Sequence, residues 1–88
     1  MHKTTAAITG IGTFLPEKVL DNAALEQMVD TNDEWIVTRT GIHKRRILDI
    51  PGKATAYMAT EAVRDLMRKT GLCALEIDLI IVATATPD

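Results

Sequence analysis

Apolar and polar positions alternate along this chain in a way that predicts an α/β fold. The clearest element is a helix over residues 55–70, capped by Thr55 and ended by Gly71. Residues 77–85 follow as a predicted strand, and its run 79–83 contains no polar residue, which is typical of a strand covered on both faces. The apolar stripe of the helix comprises Met58, Ala59, Ala62, Val63, Leu66 and Met67. Asp65 and Lys69 form an i, i+4 ion pair on its other face.

The first half of the chain predicts shorter elements. Residues 5–12 are partly β-branched and predict a first strand, and residues 13–20, which contain Pro16, predict a loop. Asn22 is then a predicted N-cap of a short helix, because apolar residues follow it at helical spacing. These apolar residues are Leu25, Met28 and Val29.

A second short helix is predicted to begin at Thr31 and to end at Gly41. Thr31 and Glu34 form the Thr-x-x-Glu pattern of a capping box, and glycine commonly ends a helix. Residues 43–48 then predict a short edge strand, and residues 50–52 (Ile-Pro-Gly) predict a turn.

Size and charge restrict the function. Eighty-eight residues are enough for one small domain at most, and a net charge of -2 argues against general nucleic-acid binding. The charge is uneven, because residues 31–47 carry a formal charge of +2. Its bases are Arg39, Lys44, Arg45 and Arg46, and its acids are Asp33 and Glu34. This local patch suits one anionic ligand or an acidic partner that docks on residues 43–46, although a solvated charged edge explains it as well.

Several kinds of chemistry are not expected. Cys73 is the single cysteine, so it forms no internal disulfide; we interpret it as a packing residue in a reducing, cytosolic setting. His2 and His43 show no metal-binding spacing, and we expect both at the surface and no metal site. No secretory leader is visible, and the apolar run 79–83 is far too short to span a membrane.

Gly10 and Gly12 follow the first predicted strand and suggest a dinucleotide-binding loop. The third glycine of that motif would fall at position 15, which is Leu15, and Pro16 opposes a helix there. We therefore interpret the two glycines as a tight strand exit that needs backbone freedom.

The spacing of Thr31, Trp35 and Arg39 provides the strongest candidate binding site. Residues four apart share one face of a helix, so these side chains would form a ridge with a hydroxyl, a flat ring and a planar cation. Such a ridge suits a ligand with a flat base and phosphates, since bases stack on indoles and arginine stacks on flat rings. Periodicity alone equally allows a tryptophan packed against the core beside a solvated arginine.

Residues 30–42 (Asp-Thr-Asn-Asp-Glu-Trp-Ile-Val-Thr-Arg-Thr-Gly-Ile), with Arg45, Arg46 and Ile47, closely resemble the β-ketoacyl-acyl-carrier-protein synthase III family. Residues 10–17 and 80–86 also look like the N-terminal region of that family, so the resemblance covers essentially the whole chain. It implies a partial thiolase-like α/β fold, a mixed sheet with helices, over residues 1–88. It further implies that Trp35 and Arg39 sandwich the adenine of coenzyme A and that Thr31 contacts the same end of the cofactor.

The resemblance implies the first condensation of type II fatty-acid synthesis. An acyl group passes from coenzyme A to a cysteine and then condenses with malonyl on acyl carrier protein, with loss of carbon dioxide. The family's catalytic Cys, His and Asn are not present in these residues, and Cys73 does not match the catalytic position. We therefore expect an inactive N-terminal fragment of a cytoplasmic, homodimeric enzyme, and a piece that is oligomeric or marginally stable alone.

Two alternatives stay open at this point. Related thiolase-fold synthases make hydroxymethylglutaryl-coenzyme A or polyketide-type products. A non-catalytic module that binds coenzyme A or a carrier protein is the other alternative.

Overall fold

The computed structural model describes residues 3–88, so His2 lies outside the described residues. The chain divides into two compact units. One comprises residues 15–53, and the other comprises residues 3–14 together with residues 54–88.

The unit of residues 15–53 is a two-stranded ribbon with two short helices. Its elements are β1 (Lys18–Asp21), α1 (Asn22–Glu26), α2 (Asp33–Thr40) and β2 (Lys44–Ile47). The strands pair antiparallel, with Lys18 opposite Ile47 and Asp21 opposite Lys44. The predicted edge strand is confirmed as β2, but the predicted loop over residues 13–20 is wrong in its second half. Pro16 restricts only its own neighbourhood, so β1 can begin two residues later and pair with β2.

The N-caps in this unit differ by one residue from the predicted ones. Asp21, not Asn22, caps α1, and its carboxylate accepts a hydrogen bond of 2.8 Å from the amide of Ala24. Asn32, not Thr31, caps α2, and its side-chain oxygen accepts from the amide of Trp35 at 2.8 Å. Asparagine satisfies a free helix amide at least as well as threonine, which explains why the shorter helix forms.

The ends of α2 otherwise follow the sequence. Gly41 is confirmed as the C-cap, with the left-handed φ of 71° that favours glycine. The predicted turn at residues 50–52 is also confirmed, because the amide of Lys53 donates to the carbonyl of Ile50 at 3.1 Å.

The second unit is built around the long helix α3 (Thr55–Thr70). Its predicted end is confirmed, since Gly71 is the C-cap with a φ of 73°. The prediction of Thr55 as the N-cap is wrong. The N-cap is Ala54, whose side chain cannot accept a hydrogen bond from the first turn of the helix. The carboxylate of Asp88 serves instead, accepting from the amide of Ala56 at 3.1 Å.

The two outer strands of the prediction, residues 5–12 and 77–85, are wrong for this structure, which assigns no strand to either segment. Their apolar side chains are largely exposed; Ile8 is 86% exposed and Ile81 is 83% exposed. The apolar pattern predicts covered faces, but the described residues supply no neighbouring strand to pair with and little to cover them. Ile36 is the one buried hydrophobic residue in the described part of the chain.

Gly10 and Gly12 lie against α3, and here the prediction of backbone freedom is wrong. Neither glycine has a positive φ. A Cβ on Gly12 would lie 2.5 Å from the amide nitrogen of Leu66 and closer still to the carbonyl oxygen of Ala62. A Cβ on Gly10 would lie 2.6 Å from the Cγ2 atom of Thr70. The absence of a side chain is therefore what lets this segment approach the helix.

Asp65 joins the same segment to α3 through its carboxylate. Lys69 lies 2.8 Å from Oδ2, which confirms the predicted ion pair, and the amide of Thr13 donates to the same oxygen at 2.9 Å. The hydrogen bond from Lys69, then that from Thr13 and the charges of Lys69 and Arg68, hold the pKa of Asp65 below its usual range.

This shift predicts a specific acid sensitivity. Because the folded-state pKa of Asp65 is lowered, its stabilising contribution is complete above the unfolded-state pKa, about 4, and is lost as the pH falls through the folded-state pKa. Asp65→Asn should flatten the loss of helix measured by circular dichroism below about pH 4. Asp78→Asn, which removes one exposed carboxylate elsewhere in the same unit, is the control, and the acid transition of Asp65→Asn should be flatter than that of this control. Identical acid transitions in the wild type and in Asp65→Asn would contradict this assignment.

Candidate functional site

Helix α2 places Trp35 and Arg39 one turn apart on its exposed face. The guanidinium carbon of Arg39 lies over the indole, 5.3 Å from the ring centroid, within the range of a cation–π contact. Trp35 is 54% exposed, whereas Ile36, the next residue, is 6% exposed. The alternative of a tryptophan packed against the core is therefore wrong, because Ile36 takes the buried position.

Two open pockets border Trp35. The larger, of about 350 Å³, is lined by Asn32, Glu34, Trp35, Thr38 and Arg39. The smaller, of about 170 Å³, is lined by Asp30, Thr31, Asn32 and Trp35. Trp35 and Asn32 border both, so the two pockets share these two lining residues. We call these two pockets and their lining residues the Trp35 site.

Thr31 does not belong to the helical ridge that its spacing predicted. It precedes the N-cap Asn32, and its amide donates to the carbonyl of Val29 at 3.0 Å. Thr31 shares the smaller pocket with Trp35, while Arg39 lines only the larger one. The structure thus brings Trp35 together with each of the other two predicted site residues, but in different pockets.

Sequence reasoning missed three residues that line the larger pocket. Asn32 was overlooked because Thr31 was taken as the N-cap. Glu34 and Thr38 are four residues apart, and each lies within one turn of Trp35, so helical spacing could have placed them beside the indole. Glu34 gives this pocket an anionic side chain in addition to the cation of Arg39.

The residues that hold α2 in place are polar. The amide of Asp33 donates to the carboxylate of Glu26 on α1 at 2.7 Å. The side chain of Asn22 contacts Asp33 at 2.7 Å and is itself 2% exposed. Asp33 and Glu34 in the first turn, and Arg39 in the last, also have the charges that complement the helix dipole.

The basic residues 43–46 are partly engaged within their own unit. Arg45 donates to the carbonyl of Leu20 at 3.3 Å and to the side chain of Asn22 at 2.7 Å. Arg46 donates to the carbonyl of Pro16 at 3.0 Å. These two guanidinium groups connect β2 to neighbouring segments of the same unit. Lys44, the other cation of β2, is exposed.

Cys73 is exposed, so the prediction of a packing cysteine is wrong for this structure. Its neighbour Leu75 is 93% exposed, which shows that the apolar surroundings expected around the thiol are not assembled here. Within residues 3–88, no group of three or more His, Cys, Asp or Glu side chains could hold a metal ion. None of the helices described is long and apolar enough to cross a membrane.

Curated proteins match this chain over nearly its whole length. The β-ketoacyl-[acyl-carrier-protein] synthase III of Chlorobaculum tepidum is 60% identical over 83 residues, which cover 94% of this chain and 25% of the relative. The synthase III 2 of Bacteroides thetaiotaomicron is 51% identical over 88 residues, covering 100% of this chain and 26% of the relative. No protein-family model matches the chain.

Solved structures give the same result. The 3-oxoacyl-[acyl-carrier-protein] synthase III of Aquifex aeolicus aligns with a TM-score of 0.63 at 49% identity, over 72% of this chain and 20% of that one. The synthase III of Thermus thermophilus aligns with a TM-score of 0.64 at 45% identity, over 74% and 20%.

The fold is therefore part of a thiolase-like α/β fold, here with a two-stranded antiparallel sheet. Within that class, the chain belongs to the β-ketoacyl-[acyl-carrier-protein] synthase III family. It spans about a quarter of the length of the curated relatives that it matches.

Proposed function

We propose that these 88 residues serve an acyltransferase that starts type II fatty-acid synthesis. In this reaction an acyl group leaves coenzyme A, and malonyl-acyl carrier protein loses carbon dioxide as its α-carbon bonds to the acyl carbonyl. The products are free coenzyme A and a β-ketoacyl-acyl carrier protein. Identities of 60% and 51% to synthases III support the reaction class. We also propose a cytoplasmic homodimer for the whole enzyme, as in the family it resembles.

The part that this chain would play is recognition of the adenine end of coenzyme A. The observation that carries this proposal is the half-exposed indole of Trp35, with the Arg39 guanidinium 5.3 Å from its centroid beside an open pocket. Stacking of a base on an aromatic side chain is worth roughly 1–3 kcal/mol. A guanidinium next to that base can pair with a phosphate in two-pronged geometry.

The observed contact restricts how adenine can bind. A base between the two side chains needs about 3.5 Å of separation on each side, or about 7 Å between indole and guanidinium. The 5.3 Å from the Arg39 carbon to the indole centroid is too short for that. The sandwich that the family resemblance implies therefore requires Arg39 to swing away from the ring. Its long flexible side chain is exposed, so this movement breaks only the cation–π contact shown there.

Thr31 would contact the ligand from the smaller pocket. Its hydroxyl can both donate and accept a hydrogen bond, which suits the ring nitrogens and amino group of adenine. Because Thr31 and Arg39 line different pockets that share Trp35, we propose that the base lies at the indole and that Thr31 contacts it from the smaller pocket and Arg39 from the larger one. The chemistry itself would come from the family's Cys, His and Asn, which this chain does not contain at matching positions.

The reaction can be tested with a chimera in which these 88 residues replace the matching quarter of the Chlorobaculum tepidum synthase. We expect the chimera to release carbon dioxide from malonyl-acyl carrier protein when an acyl-coenzyme A is added, and the 88-residue chain alone to release none. A polyketide product, or a hydroxymethylglutaryl product formed from acetoacetyl-coenzyme A without release of carbon dioxide, would support the related synthases instead. A folded chimera that binds both substrates and condenses nothing would contradict the proposal.

A further inference from the structure

Asn22 is a buried amide whose hydrogen bonds converge on helix α2. Asn22 is 2% exposed, and among the residues that the structure describes it is the one buried polar residue. Burying an amide costs free energy unless its donors and acceptor are satisfied. Each of its side-chain polar atoms has a partner, so Asn22 is held in a single orientation.

The side-chain nitrogen of Asn22 donates hydrogen bonds at both ends of α2. It donates to the carboxylate of Asp33, the first residue of the helix, at 2.7 Å. It also donates to the carbonyl of Ile42, the residue after the C-cap Gly41, at 2.8 Å. One side chain thus fixes the start of the helix and the turn that follows it.

The side-chain oxygen and the backbone amide of Asn22 form hydrogen bonds to β2 and to the residue before it. Its side-chain oxygen accepts from Arg45 of β2 at 2.7 Å, and its backbone amide donates to the carbonyl of His43 at 3.2 Å. Arg45 also donates to Leu20 of β1. A continuous set of hydrogen bonds therefore runs from both strands through Asn22 to the helix that carries Trp35 and Arg39.

We propose that Asn22 is a positioning residue for the Trp35 site. This inference rests on the proposed function, since it assumes that adenine binds there. A helix of eight residues is not stable alone, and α2 contributes only Ile36 as a buried residue. Its orientation must then come from polar contacts, and Asn22 makes two of them. A small rotation of α2 would move the indole and the guanidinium away from the base and would leave the reacting end of the substrate in place.

The test compares two substrates in the chimera: an acyl-coenzyme A and the matching acyl-pantetheine, which lacks the nucleotide. Asn22→Asp replaces the two donated hydrogen bonds with a carboxylate facing Asp33, a like charge. We expect KM for acyl-coenzyme A to rise about tenfold with kcat little changed, since the misplaced helix would weaken binding of the nucleotide. A tenfold rise corresponds to a loss of about 1.4 kcal/mol in binding free energy. Kinetics with acyl-pantetheine should not change. A residue with a merely structural role would reduce activity with both substrates.

Further variants keep the test independent of folding defects. Adding Asp33→Asn to Asn22→Asp restores a hydrogen bond of reversed direction and should recover part of the lost affinity. Asp33→Asn alone keeps an acceptor for Asn22 and should have a smaller effect than Asp33→Ala. Arg46→Met is the matched control. It removes the hydrogen bond from β2 to the carbonyl of Pro16 and leaves the hydrogen bonds of Asn22 intact.

The outcomes separate this inference from the proposed function. If the wild-type chimera prefers acyl-coenzyme A and Asn22→Asp keeps that preference, the positioning role is overturned and the proposed function stands. Equal losses with both substrates overturn the positioning role as well. If the wild type shows no preference for acyl-coenzyme A over acyl-pantetheine, the adenine site itself is wrong, and this inference fails with it.

Discussion

Replacing Trp35 with alanine should raise KM for acyl-coenzyme A in the chimera by about 5- to 150-fold, the factor that corresponds to 1–3 kcal/mol. The indole is the stacking surface of the proposed site, and alanine leaves the base without a flat partner. Because Trp35 is 54% exposed, the substitution opens no cavity in a core, so the melting temperature should change little. Steady-state kinetics and a thermal melt of the same preparation measure both effects.

Trp35→Phe is the matched control for this substitution. It keeps a smaller flat ring, so we expect an increase in KM well below that of Trp35→Ala. Adding Arg39→Ala to Trp35→Phe should weaken binding further, because it removes the guanidinium that would contact the base and the ligand phosphates. A KM for acyl-coenzyme A that stays at the wild-type value in a folded Trp35→Ala chimera would contradict the assigned role.

The second large effect is on stability. Gly12→Ala should destabilise the chimera by about 3 kcal/mol, the upper part of the range for overpacking, because the new methyl group meets backbone atoms of α3 rather than a side chain that can rotate. The segment of residues 3–14 would have to move away from the helix. That movement would also lengthen the hydrogen bond between Thr13 and Asp65, now 2.9 Å. A shift in the midpoint of denaturant unfolding measures the loss.

Gly52→Ala separates packing from backbone strain. Gly52 has a φ of 76° with open space around it, so alanine there costs only the strain of the left-handed conformation, about 1 kcal/mol. Gly12 has no such conformation and would suffer only from the close approach to Leu66 and Ala62. If Gly12→Ala is no more destabilising than Gly52→Ala, the close packing of Gly12 against α3 is wrong.

Local signals in the sequence predicted the helices of this chain well. Gly41 and Gly71 marked the ends of α2 and α3 because the left-handed C-cap depends on one residue. The N-caps were misplaced by one residue because threonine, asparagine and aspartate compete for the same role, and the backbone conformation decides among them. Identifying β1 required recognition of its partner β2, which lies more than twenty residues further along the chain.

The site was predictable only in part, for a similar reason. Helical spacing predicted that Trp35 and Arg39 share a face, but it could not decide which side of α2 is buried, since Trp35 and Ile36 are adjacent and both apolar. The burial of Asn22 depends on Asp33, Ile42 and Arg45, which are 11 to 23 residues away. Likewise, the apolar run 79–83 predicts a covered strand, but its covering would have to come from elements that the described residues do not include.

The central claim is that the indole of Trp35 recognises the adenine of coenzyme A. A double-mutant cycle tests it most directly: kcat/KM for acyl-coenzyme A and for acyl-pantetheine, in the wild-type chimera and in Trp35→Ala. We predict that removing the nucleotide reduces kcat/KM strongly in the wild type and much less in Trp35→Ala, because the stacking partner is already gone. The same reduction in both proteins would show that the indole and the adenine do not interact.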